Sequence, residues 1–188
     1  MTPVNDGVVR FAIDTNKSLF TVQAFAAGII ALVAHSPKFA IRDFTGEMEF
    51  IPGSMQRASM QLTINTGSFE IMDEVSKSDR REIERVMFEE VLEKSRYPKI
   101  EFKSSRVSVS KSGENMHRVD GELTLHGITR SVGFDAQIFA SGETLRAQGS
   151  FSVTQSDFGL KIASVAGGTL KLRDELKCAY FVVGRRRD

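Results

Sequence analysis

Apolar residues recur at every second position along most of this chain, the period expected of strands with one buried face. Phe20, Val22 and Ala24 alternate with Thr21 and Gln23, and Phe44, Gly46, Met48 and Phe50 with Thr45, Glu47 and Glu49. Met60, Leu62 and Ile64 follow the same rule, as do Val119, Gly121, Leu123 and Leu125. So do Val132, Phe134, Ala136 and Ile138, and then Leu145, Ala147, Gly149, Phe151 and Val153. Residues 176–183 are apolar on both parities, which predicts a last strand covered on both faces. One segment breaks step: Ile100 and Phe102 are even-numbered, Val107 and Val109 odd. A one-residue slip around Ser104-Ser105-Arg106 would put all four on one face, which is what a β-bulge does. Turn-forming clusters separate the strands, at Pro52-Gly53-Ser54, at residues 111–115 and at Ser141-Gly142-Glu143. Eight or nine strands with short connections predict a mainly β protein, a closed antiparallel barrel or a sandwich. Glycines inside the strands (Gly46, Gly121, Gly149) favour the barrel.

Two segments do not alternate. Residues 78–94 read as a helix with Ser78 as N-cap, Asp79 in the first turn and Ile83, Met87 and Val91 on one stripe. Residues 25–34 are apolar all round. They predict either a short buried segment or an apolar lid over a barrel mouth, with Phe25, Ile29 and Leu32 as its contact residues.

A chain of 188 residues fits one domain, 1–188, with a sizeable core. Its aromatic content is lopsided: 14 Phe, 2 Tyr and no Trp. Phenylalanine needs no hydrogen-bond partner when buried, so this excess suits a Phe-rich core or a Phe-lined pocket and does not choose between them. A net charge of +1 gives no electrostatic case for nucleic acid or an anionic membrane, and Arg185-Arg186-Arg187 reads as a solvated tail. The single cysteine, Cys178, rules out an internal disulfide and reads as a buried, inert thiol. No secretory leader opens the chain, and residues 24–34 are about half a membrane span. As written the chain reads as cytoplasmic, or periplasmic if a leader has been removed.

The sequence offers no catalytic constellation. His35, His117 and His126 are widely spaced, and His126, in a turn, is expected to order it by hydrogen bonding. Asp157-Phe158-Gly159 spells a kinase magnesium motif without the rest of a kinase. No nucleophile elbow, P-loop or dinucleotide fingerprint is present.

Several segments look familiar. Tyr97-Pro98-Lys99-Ile100-Glu101-Phe102-Lys103-Ser104 resembles the YP-x-I-x-F-x-S hallmark of the YceI-like, polyisoprenoid-binding family. Residues 121–130, Gly-Glu-Leu-Thr-Leu-His-Gly-Ile-Thr-Arg, are similar to its G-x-L-T-[IL]-x-G-[VI]-T-[KR] segment. Ser156-Asp157-Phe158-Gly159-Leu160 resembles its S-D-F-G-[LM] element and Asp174-Glu175-Leu176 its late D-E-[VL]. Phe11-Ala12-Ile13-Asp14 with Lys17-Ser18 resembles its opening, with Lys17 where His is usual and Arg173 where Gly is usual. The resemblance implies an extended, lipocalin-like, eight-stranded antiparallel β-barrel with one or two short helices. It also implies an apolar cavity that shields a long polyisoprenoid or isoprenoid quinone, as a carrier or store and not as an enzyme. The implied partner is a long-chain isoprenoid lipid, with no cofactor beyond such a bound polyprenyl lipid. A transient membrane contact and a homodimer stay open. Inward positions by alternation are Phe20, Val22, Phe44, Met48, Leu62, Ile64, Ile100, Phe102, Leu123, Leu125, Phe134 and Phe151. The alternatives are an enzyme acting on a small hydrophobic substrate in the same cavity, and a filled barrel serving as an interaction module.

Overall fold

The computed structural model describes residues 7–27, 36–165 and 170–187. Its strands form a closed ring of eight, all antiparallel, each beside its sequence neighbour. The first three members are broken strands. β1 (Val9–Ile13) and β2 (Leu19–Ala26) run on from one another, as do β3 (Lys38–Ile41) and β4 (Phe44–Ile51), and β5 (Ser54–Asn65) and β6 (Phe69–Ile71). β7 (Lys99–Val109), β8 (Met116–Leu125), β9 (Ile128–Ser141) and β10 (Thr144–Thr154) continue the meander, and the short β11 (Ser164–Val165) pairs with the start of β12 (Leu170–Arg187). β12 closes the ring against both β1 and β2, with Ile13 opposite Gly184 and Val22 opposite Cys178.

The bulge in β7 lies where alternation breaks. Ser104 faces Gly121 and Arg106 faces Asp120, leaving Ser105 as the extra residue. Ile100, Phe102, Ser104 and Val107 are buried, whereas Val109, expected to face inward, is 74% exposed. It lies next to the β7–β8 turn, past the end of the packed interior, so the alternation outlasts the core there. The last strand also departs from its reading. Its inner face is even-numbered, Leu176, Cys178, Tyr180 and Val182, and Phe181 on the outer face is 40% exposed. Val183 is buried on that outer side because the turn between β1 and β2 folds over it. Asp14 N–H donates to Val183 O at 2.8 Å, and Val183 N–H donates to Ser18 Oγ at 2.9 Å.

The helix α1 (Lys77–Arg85) runs on into a wider π turn, Val86–Val91. Its N-cap is Ser76, not Ser78: Ser76 Oγ accepts from Asp79 N–H at 3.1 Å and donates to the Asp79 carboxylate at 2.7 Å. Ser76 stands three residues ahead of Asp79, so its hydroxyl meets both the amide and the carboxylate of that residue, and Ser78 lacks that spacing. The long connections, namely the helical segment between β6 and β7 and residues 155–163 after β10, lie at one end of the barrel, and at that end Ala26 of β2 pairs with Leu172 of β12. The other end is closed by the short turns at residues 52–53, 110–115 and 142–143.

Strand glycines sit where a neighbour crosses closely. A Cβ on Gly121 would stand 2.5 Å from Lys103 O and 2.7 Å from the Phe102 ring, which lies across the bulged pair. We therefore expect Gly121→Ala to destabilise the fold by about 1–3 kcal/mol, the usual scale of overpacking, read as a lower urea midpoint at unchanged slope.

Candidate ligand cavity

Inward side chains divide by height along the barrel axis. Toward the short-turn end they interlock into a plug: Phe11, Met48 and Leu145 converge on Gly184, beside Val182 and the facing pair Val107 and Val119. Above the plug is an apolar cavity of about 140 Å³. Its wall is built by β2 (Phe20, Thr21, Val22), β5 (Met60, Leu62, Ile64), β7 (Ile100, Phe102) and β8 (Leu123, Leu125). β9 and β10 add Val132, Phe134, Phe151 and Val153, and β12 adds Leu176, Cys178, Ala179 and Tyr180. Ile41 completes the wall, while Phe69, Leu92 and Leu160 close it toward the long connections.

Ten of the inward positions read from alternation stand in this wall: Phe20, Val22, Leu62, Ile64, Ile100, Phe102, Leu123, Leu125, Phe134 and Phe151. Two do not. Met48 belongs to the plug, and Phe44 is core behind Phe20, their rings edge to face at 4.8 Å. Phe25 is half-buried and outside the wall, and Ile29 and Leu32 lie outside the described residues. Thr21, outward by alternation, is buried in the wall. Tyr180 and Cys178 were hidden in a segment apolar on both parities. Leu92 and Leu160 come from non-strand segments, where period two carries no signal.

Aromatic rings form the floor. Phe134 stacks on Phe151 at 4.8 Å, Tyr180 meets Phe134 edge-on at 5.6 Å, and Phe102 tilts against Phe134 at 5.5 Å. Two ionisable side chains face this space. Burial pushes the Cys178 thiol up to about 12, and burial with the nearby Asp135 carboxylate raises the Tyr180 phenol.

The familiar polar motif residues lie round the rim and hold the long connections in place. His126 and Gly127 both have positive φ (53° and 73°), giving a two-residue hairpin of the primed kind. The His126 ring lies 4.2 Å from that of Tyr97, and its Nε2 is 2.6 Å from Glu93 Oε2, which fixes the turn to the end of the helical segment. Arg130 Nε donates to Asp157 O at 3.1 Å. The turn Gln155–Phe158 ends on Gly159 (φ 64°), burying Phe158 to 2% exposure, so Asp157-Phe158-Gly159 serves here as a structural turn. Asp174 accepts from Ser156 N–H at 2.8 Å and from Ser156 Oγ, joining two of the familiar segments to one another.

The family model of the YceI-like domain matches residues 11–179. This chain belongs to the YceI-like domain family. A UPF0312 protein of Pseudomonas putida (strain W619) is 25% identical over 137 residues, 70% of this chain and 67% of that protein. Among solved structures, BcnA of Burkholderia cenocepacia superposes with a TM-score of 0.72 at 22% identity, covering 91% of this chain and 98% of that one. A polyisoprenoid binding domain from Saccharophagus degradans gives a TM-score of 0.67 at 12% identity, covering 94% and 98%. The YceI protein of Campylobacter jejuni gives 0.60 at 15%, covering 80% and 84%. These likenesses establish a shared YceI-like barrel. No helix among the described residues is long and apolar enough to cross a membrane.

The Ser156 hydroxyl and N–H bonds hold the Asp174 carboxyl below its ordinary range, against the opposing effect of burial. A depressed carboxyl contributes stability above its unfolded pKa and loses it as pH falls through the folded value. Asp174→Asn is therefore expected to melt below the parent at pH 6, with the gap closing as both are taken toward pH 2, followed by circular dichroism.

Proposed function

We propose that this YceI-like barrel binds an isoprenoid tail in its apolar cavity and carries or stores it without chemical change. The observation that carries this reading is the wall itself, apolar side chains from all eight barrel strands around one space that runs from the aromatic floor to the long connections. The polyisoprenoid binding named for the Saccharophagus degradans domain supports the same ligand class. A binder rather than an enzyme is favoured by the state of Cys178. A thiol pushed up to about 12 stays protonated at neutral pH and is a poor nucleophile.

Volume constrains how such a ligand enters. At about 140 Å³ the cavity is close in size to an apolar cavity of ~150 Å³ that accepts benzene. Six carbons' worth of burial recovers roughly 5 kcal/mol at about 0.8 kcal/mol per carbon group, near the lower bound of ~4 kcal/mol that association costs. A tail of about 20 carbon groups would recover on the order of 16 kcal/mol, enough for useful affinity. The long tail thus requires the closing residues Phe69, Leu92 and Leu160 to part, extending the space beyond the barrel wall.

Organic extraction of protein purified from cells, followed by mass spectrometry, is expected to yield a polyprenyl compound, and stripped protein should take one up again. Repeated extracts without lipid, together with no uptake of added polyprenols, would sink the proposal. Cys178 supplies an independent readout. Small apolar methanethiosulfonates should label it slowly in the folded protein and more slowly still once a polyprenol is bound. Labelling unchanged by saturating polyprenol would place the lipid elsewhere.

A further inference from the structure

The barrel wall is not continuous between β9 and β10. Their ladder runs from Thr144–Ser141 to Gly149–Ala136 and stops there, although β9 continues back to Ile128 and β10 on to Thr154. The next pair in that register would be Asp135 with Ser150. Its acceptor is engaged from inside the barrel: Tyr180 of β12 reaches across β10 at Gly149, and its hydroxyl donates to Asp135 O at 3.4 Å. The passage needs glycine, because a Cβ at 149 would sit 2.5 Å from the Tyr180 hydroxyl oxygen. Tyr180 is thus a wedge at the point where the two strands part. Beyond it Phe134 and Phe151 stack face to face between the strands. At the far end Arg130 spans the opening to Asp157 O.

Backbone groups along this gap have no ladder partners. Ile138 N–H donates toward β8, to Asn115 O. Alternation along a strand therefore turns the amides and carbonyls of Ser131 and Gly133 toward β10, and those of Ser150, Ser152 and Thr154 toward β9. Those of Ser131, Gly133, Ser152 and Thr154 border a recess of about 370 Å³ bounded by residues 130–133 and 151–154 with Asp157 and Phe158. Val132, Phe151 and Val153 line both this recess and the apolar cavity, so three side chains separate a polar site from an apolar one.

We propose that the gap between β9 and β10 is a lateral binding site for the uncharged, hydrogen-bonding head group of an amphiphile whose tail occupies the cavity. This rests on the tail-binding reading above. An amphiphile in an apolar cavity must place its polar end where hydrogen bonds are offered, and unpaired strand edges offer both donors and acceptors. The charged side chains of the recess, Arg130 and Asp157, are one of each sign, and the Arg130 Nε is already engaged. A hydroxyl or carbonyl head therefore suits the site, and a multiply charged one does not.

The test uses full-length protein labelled with ¹⁵N and three probes: farnesol, the hydrocarbon of the same skeleton, and farnesyl diphosphate. Farnesol is expected to shift the amides of Ser131, Gly133, Ser150, Ser152 and Thr154 and to bind about tenfold tighter than the other two, roughly the worth of one or two hydrogen bonds. Shifts confined to the cavity wall or the long connections would overturn the lateral site and leave tail binding standing. Failure of all three probes to bind would overturn both, and diphosphate binding as tight as farnesol would overturn the uncharged head. Tyr180→Phe, which frees Asp135 O for Ser150 N–H, is expected to slow hydrogen exchange at Ser150 and Ser152 and to weaken farnesol selectively. Unchanged exchange and affinity would overturn the role of Tyr180.

Discussion

β12 carries two seams of the barrel at once. Over its 18 residues it pairs with β10 on one side, and on the other with β2 and then β1. A sheet that fails to close leaves an edge of unpaired backbone, and closure against this one strand removes it. The first strand can break after Ile13 because β12 does not: the turn at residues 14–18 is held against Val183 by backbone and Ser18 bonds, and Arg185 pairs with Asp14 at 2.6 Å. The inner face of β12 then forms a spine through both halves of the interior, Leu176 and Cys178 beside the cavity, Tyr180 at its floor and Val182 in the plug.

The split between plug and cavity follows from how side chains fill a small barrel. Eight strands leave an interior that side chains alone can nearly fill. Around Gly184 they do so, because Met48, Phe11 and Leu145 meet where that strand has no side chain. One level higher the rings of Phe134, Phe151 and Tyr180 are held by each other and by β9, β10 and β12. Rigid rings packed on one another bridge the wall without filling the centre. A filled barrel and a hollow one thus coexist along one axis, and the boundary between them is aromatic.

Much of this architecture was legible in the sequence. Period two located β4, β5, β8, β9 and β10, and the change of parity between Phe102 and Val107 marked the bulge at Ser105. Alternation reports which side of a sheet a residue faces and nothing about its height in the barrel. Met48 and Leu62 therefore look alike in sequence, yet one is plug and the other wall. The same blindness misplaced Val109, whose parity is inward but whose level is beyond the core. Tyr180 could not be singled out because Ala179 and Phe181 beside it are also apolar, which erases the period where it matters most. The N-cap read at Ser78 falls instead at Ser76, whose hydroxyl is three residues ahead of Asp79 and bonds both its amide and its carboxylate.

The resemblance to the family and the cavity turn out to involve different members of the same motifs. In the hallmark stretch Tyr97 holds the hairpin turn at His126 and Gly127, while Ile100 and Phe102 face the cavity. The segments after it behave alike: His126 and Arg130 brace the rim while Leu123 and Leu125 line the wall, and Ser156 binds Asp174 while Leu160 and Leu176 close the space. Hydrogen-bonding roles demand specific residue types at fixed positions, whereas an apolar wall demands only volume and tolerates exchange among hydrophobic side chains. The polar members therefore make the barrel recognisable, and the apolar members shape its cavity. A wall of this kind discriminates weakly between tails that differ by a methylene. Under the proposed function, sharper selection has to come from polar contacts, and the polar groups lie outside the apolar wall, at the rim and along the parted edges of β9 and β10.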